Sequence, residues 1–187
     1  AMSYPDRMRN AVHRVAGIVL LSSFLMASAV LINPCPVSAG EGSDAELVKS
    51  LLSGADTLKA LEVLDSLLKV SKDKAGLCLL RGRIRLARGE GQAALEDFRA
   101  AAGHKDKAVR LQVWLGLALT HRTLLHETYQ AEQACRKGLS IDRNDPALLF
   151  ESAMVGFAYG GADGYDQAVK YLSRVIEIDP MFNNAYG

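Results

Sequence analysis

Four histidines, three cysteines and 21 carboxylates are the groups through which this 187-residue chain could do chemistry, and their spacing argues against most of it. His121 and His126 stand five apart, whereas two ligands on one helical face need a spacing of three or four, and no Cys or carboxylate cluster completes a site around them. The stretch Gly160-Gly161-Ala162-Asp163-Gly164 lacks the Lys-Ser/Thr ending of a phosphate loop and has no strand before it, so it is expected to be an interhelical turn. Asp142-Arg143-Asn144-Asp145 opens like a calcium loop, but Ala147 and Ala153 occupy the positions that need glycine and glutamate. Asp145 as a helix N-cap, with Pro146 at the first helical position, accounts for that segment. No catalytic residue, cofactor site or metal site is expected.

Charge is the other resource. Between Lys69 and Arg88 the basic residues Lys69, Lys72, Lys74, Arg81, Arg83, Arg85 and Arg88 are opposed only by Asp73. Arg83, Arg85 and Arg88 form either a solvated face, the reading favoured here, or a docking patch for an acidic partner. Over the whole chain 22 Lys and Arg balance 21 Asp and Glu, a formal net charge of +1. That balance suggests neither a nucleic-acid binder nor a coat for an anionic membrane.

These residues are positioned by a repeating element. An alanine is followed four residues later by a large or apolar residue, and three after that by a small or apolar one. The copies are Ala60, Leu64, Leu67; Ala94, Phe98, Ala101; Ala131, Cys135, Gly138; and Ala168, Leu172, Val175. The alanine advances by 34, 37 and 37 residues, a period that signals stacked helical pairs. In the clearest copy a helix over Leu79–Gly89 leads to a second over Ala93–Phe98. Gly82 permits close helix approach, Gly89 ends the first helix where positive φ is needed, and Phe98 fills the gap.

The pattern resembles the tetratricopeptide repeat. Trp114, Leu117, Ala118, Ala131, Cys135 and Gly138 fall on that family's marked positions, and Val175-Ile176-Glu177-Ile178-Asp179-Pro180 looks like its closing phrase, with Ile141–Pro146 a near copy. His121 stands where the family has an aromatic, Cys135 and Leu172 replace another, and extra residues before Ala131 and Ala168 are expected in loops. The resemblance implies an all-α, right-handed α-solenoid of about four helix hairpins at residues 41–74, 75–108, 109–145 and 146–182, inside a domain spanning 40–182. It implies an Arg81–Asp97 pair across the second hairpin. It also implies a binding scaffold whose concave surface, carried across by position, includes Lys49, Leu79, Arg83, Gln112, Leu115, Leu119, Phe150, Met154 and Phe157. Phe150, Met154 and Phe157 share one helical face, which either binds a partner or packs on the following helix. Members that clamp chaperone tails carry Lys and Asn where this chain has Ala45, Leu79, Leu115 and Phe150, so that role is not expected.

Residues 1–39 differ in kind. Arg7, Arg9, His13 and Arg14 precede an apolar run over 15–32, followed by Asn33-Pro34-Cys35-Pro36 and the small-residue ending Val37-Ser38-Ala39. This reads as an export signal. The rival is an uncleaved anchor, because the run would span roughly 27 Å of a ~30 Å hydrocarbon layer as a helix. Either way the flanking positive charges place the repeats outside the cytoplasm, in a periplasm. Pro34 and Ile32 fit lipoprotein processing at Cys35 poorly. Cys78 and Cys135, on separate hairpins, are expected as buried free thiols rather than a disulfide.

Residues 183–187 look like the opening of an uncompleted helix or a tail. The last apolar face would then be covered by a longer array, by a partner or by a second copy of the chain. The expected function is a non-catalytic protein-protein interaction scaffold that binds another protein or peptide and helps assemble an envelope complex. The alternatives are an anchored accessory subunit of a membrane-bound enzyme complex and, from another class, a ligand- or metal-binding protein or an enzyme with an interhelical pocket.

Overall fold

The computed structural model describes residues 57–180 and Phe182. The apolar run 15–32, the small-residue ending before Gly40, Lys49, and the start of the first repeat lie outside them. Among the described residues there are seven helices: α1 (Thr57–Val70), α2 (Lys74–Ala87), α3 (Gly91–Ala101), α4 (Lys107–Thr123), α5 (Thr128–Ile141), α6 (Pro146–Tyr159) and α7 (Gly161–Ile178). None of them is long and apolar enough to cross a membrane.

Short-range chemistry sets where these helices begin and end. The side chains of Asp73, Asp106 and Asp145 accept hydrogen bonds from the backbone N–H of Gly76, Ala108 and Leu148 respectively, satisfying donors that the first helical turn leaves open. Asp145 is thus the N-cap its sequence position suggests, with Pro146 opening α6. Gly89, at φ 78°, closes α2 as expected, in a conformation that an L side chain resists.

Helices α2 and α3, α4 and α5, and α6 and α7 form antiparallel hairpins. The first helix of each hairpin lies against the first helix of the next, α2 on α4 and α4 on α6, while α3 meets α4 and α5 meets α6. The repeated alanines sit where the helices come closest: Ala60, Ala94, Ala131 and Ala168 are all fully buried. Phe98 wedges between hairpins, with Gly82 of α2 and Gly116 of α4 both facing its ring. A Cβ at Gly116 would stand 2.5 Å from Phe98 Cζ, and one at Gly82 would stand 3.0 Å from Cδ1. A larger residue at either position would push out the ring around which two hairpins close.

The extra residues of the last copy do not enter a loop. Gly160 alone separates α6 from α7, and Gly161–Gly164 belong to α7, which runs for 18 residues against 11 in α3. The cause is a backbone-to-backbone crossing: a Cβ on Gly164 would lie 2.5 Å from the carbonyl oxygen of Gly156. The glycine-rich stretch expected as a turn is therefore largely a helix start that lets α6 and α7 touch. Before α5 the additional residues lengthen α4 to 17 residues and fill the turn 124–127, where His126 takes φ 56°.

Candidate functional site

The expected concave surface can be followed along α2, α4 and α6. Of its residues, Gln112, Leu115 and Phe157 are half-buried, whereas Leu79, Arg83, Leu119, Phe150 and Met154 are buried. Leu79 and Leu119 belong to the core that joins α2 through α6. Phe150 and Met154 belong to a second core with Leu149, Ala153, Ala168, Val175 and Phe182. The Phe150 and Phe182 ring centroids are 5.9 Å apart, and Phe157 packs on Tyr165 of α7 at 6.0 Å. Of the two readings of the Phe150, Met154 and Phe157 stripe, packing on the following helix is the one observed.

The basic patch is likewise absorbed. Asp97 of α3, 2% exposed, accepts hydrogen bonds from Arg81 Nε and Nη2 and from Arg85 Nη1, the shortest at 2.6 Å. Arg81 also reaches Asp65 on α1, so this cluster ties three helices together. The Arg81–Asp97 pair is the one the repeat resemblance implies. Arg85, expected to be available, is instead the second partner of Asp97, because one carboxylate can serve two guanidinium groups. Arg88 bonds Glu90 at 2.6 Å and the hydroxyl of Thr57 at 3.2 Å. Arg83 is buried rather than displayed.

Two features were not found by sequence reasoning. The first is a buried ion pair between Arg122 of α4 and Glu151 of α6, with hydrogen bonds of 2.6 and 3.0 Å. Its signal was present, since Glu151 is the sole charge in the apolar helix over 146–159, and a buried charge requires a partner. The second is the set of exposed tyrosines Tyr129, Tyr159 and Tyr165, which exposure alone reveals.

Local structure also absorbs the histidines. His121 Nδ1 lies 2.7 Å from Glu127 Oε2, on the turn that carries the exposed His126. Among the described residues no group of three or more His, Cys, Asp or Glu side chains is arranged to hold a metal ion. A shallow cavity of about 590 Å³ opens between α2 and the α3–α4 turn, lined by Ala75, Ala100, Gly103, His104, Lys105 and Asp106. Its His104 is held by accepting the Asp106 backbone N–H at Nδ1, 3.0 Å away. On α4, the buried atoms Arg110 Nε and Gln112 Oε1 have no hydrogen-bond partner. Cys78 and Cys135 are free and buried.

Two solved structures share this arrangement of helices. The crystal structure of MamA matches over 98% of this chain and 99% of its own, with a TM-score of 0.62 and 20% identity. The MamA RS-1 ArsTM double mutant matches over 72% of each chain, with a TM-score of 0.60 and 17% identity. The fold is TPR-like. No protein-family model matches the chain, and no curated protein does.

Proposed function

We propose that this chain is a non-catalytic scaffold that binds another protein outside the cytoplasm and helps assemble or stabilise a cell-envelope complex. The carrying observation is the continuous layer formed by α2, α4 and α6, each first helix laid on the next. Such stacking builds an extended face that one partner segment can cross, and similarity to the MamA structures supports the same reading of the fold. The right-handed superhelix is part of this proposal. So is the placement beyond the membrane, which rests on Arg7, Arg9 and Arg14 ahead of the apolar run 15–32.

A second reading, a permanent accessory subunit of a membrane-bound enzyme complex, draws on the length of that run. In-cell cross-linking of the full chain, followed by mass spectrometry of its N-terminus and co-purified proteins, separates the two. A chain beginning near Gly40 with a substoichiometric partner supports the adaptor. An intact run 15–32 with stoichiometric membrane subunits supports the fixed subunit. Recovery from the cytosol with no cross-linked protein overturns both.

A further inference from the structure

Three of the exposed large hydrophobic side chains are tyrosines, and the fold gathers them at one edge. Tyr129 stands at the start of α5, Tyr159 at the end of α6 and Tyr165 at the start of α7, with exposures of 63%, 50% and 49%. Because α5 and α6 run antiparallel and Gly160 alone joins α6 to α7, these three helix ends lie at the same end of the stack. Tyr159 Cβ is 3.6 Å from where a Cβ on Gly164 would be, next to Tyr165. Two of the tyrosines are held in place: the Tyr159 hydroxyl donates to Glu132 Oε2 at 2.8 Å, and Tyr165 leans on Phe157. The Tyr159 hydroxyl has its pKa pushed up by partial burial first, then by Glu132, with Tyr129 near enough to add to the effect.

The same edge is acidic. Asp163 and Asp166 flank Tyr165 in sequence, while Glu127, on the turn before Tyr129, is engaged by His121. Asp163 and Asp166 are exposed and make no ion pair among the described residues. Arg136, whose charge acts on the Tyr159 hydroxyl, is already bound to Glu132 at 2.6 Å. Exposed tyrosine rings beside the unpaired carboxylates of Asp163 and Asp166 suit a planar cation, which stacks on a ring while donating to a carboxylate. Arginine fits both demands, and lysine meets only the charge.

We infer that the edge formed by Tyr129, Tyr159 and Tyr165 with Asp163 and Asp166 is a docking surface for an arginine-bearing segment of a partner protein. The inference rests on the scaffold reading and adds to it the surface and the chemistry of the partner. The tyrosines supply contact area at low entropic cost, as they do in protein interfaces generally. The carboxylates steer the approach and discriminate against acidic segments.

The test uses the full chain and three labelled peptides, hexa-arginine, hexa-lysine and hexa-glutamate, followed by fluorescence anisotropy. Hexa-arginine is expected to bind more tightly than hexa-lysine, and hexa-glutamate not at all. The double variant Tyr129→Ala, Tyr165→Ala should weaken hexa-arginine binding about tenfold with unchanged helical circular dichroism. Asp163→Asn with Asp166→Asn should flatten the salt dependence. Should the tyrosine pair disturb folding, Tyr129→Ala alone, at the most exposed of the three positions, carries the test. Hexa-arginine affinity that ignores the tyrosines overturns the inference, as does equal binding of hexa-glutamate. If sedimentation shows that the tyrosine variants dissociate a self-associated form, the edge is a contact between copies and the inference falls. A cross-linked envelope partner still captured by the tyrosine variants leaves the scaffold standing and removes this edge from it.

Discussion

Glu151 on α6 accepts two hydrogen bonds from the Arg122 guanidinium on α4 and is 1% exposed, so one buried ion pair fastens two successive first helices. Burial pushes the Glu151 carboxyl above its ordinary range, and Arg122 pulls it back only in part. Arg122 itself stays protonated, because the carboxylate offsets the cost of its own burial. Removing one partner strands a charge, whereas removing both does not. Arg122→Met is therefore expected to cost about 3–5 kcal/mol, and Arg122→Met with Glu151→Leu to recover most of it. Urea unfolding midpoints decide this.

The same variant makes a pH prediction. A carboxyl whose folded pKa is raised contributes stability that is fully present below its unfolded value, 4.5, and is lost as pH rises toward the folded value. Without Arg122 the rise is larger, so acidification from neutral pH toward 4.5 should narrow the gap between Arg122→Met and the wild type. A gap that stays constant with pH would mean that Glu151 is not stranded in the variant.

Asp97 predicts a departure from additivity. With either Arg81 or Arg85 removed, its carboxylate keeps one guanidinium; with both removed it is buried and unpaired. The double alanine variant should lose more than the two single variants together, by about 1–3 kcal/mol. Additive losses would indicate that one arginine alone holds the carboxylate.

How much of this was visible in the chain can be traced to particular residues. The repeated alanines, the Asp145-Pro146 start of α6 and Gly89 were legible because each depends on local rules or on repeat spacing, and the Arg81–Asp97 pair because the resemblance to the repeat family implies it. Arg85 was not, because its choice of Asp97 depends on side-chain placement across a hairpin. The face of α6 carrying Phe150 and Met154 was ambiguous for a clear reason. That helix is apolar nearly all round, and such a pattern does not say which side meets solvent. Met154→Glu is expected to unfold the α6–α7 pair, because the charge would enter a core. The tyrosine edge was illegible because three residues far apart in sequence are joined only by where the hairpins turn.

Gly116 offers a packing test that the repeat pattern alone does not provide. Its missing side chain leaves room for the fully buried Phe98 ring, whose Cε1 would be 2.6 Å from an added Cβ. Gly116→Ala overfills this junction of α2, α3 and α4 and should destabilise by about 1–3 kcal/mol. Adding Phe98→Leu to Gly116→Ala should restore part of the loss, since the smaller side chain vacates the contested space. If the second change only deepens the loss, the clash is not the cause.

The cysteines give the last test. Cys135 is 2% exposed, and burial, followed by the neighbouring Glu151 carboxylate, pushes its thiol from 9.0 up to about 12. Cys78 is pushed up as well, by burial and then by Asp97. Only the thiolate attacks a disulfide reagent. In a Cys35→Ser variant, which removes the third thiol, native protein at pH 8 should therefore release almost no thionitrobenzoate from Ellman's reagent, and both thiols should react in denaturant. The raised values also set a sign for stability: it is fully retained below pH 9.0, where the unfolded thiol is protonated, and declines as pH climbs toward about 12. Arg122→Met with Glu151→Leu removes both the carboxylate that raises the Cys135 thiol and the guanidinium that lowers it, and the carboxylate has the larger effect. That pair should lower the pH at which Cys135 begins to react with iodoacetamide while leaving Cys78 unchanged, which mass spectrometry of the labelled peptides reads site by site. Equal shifts at both cysteines would point to general loosening of the hairpins instead of a local charge effect.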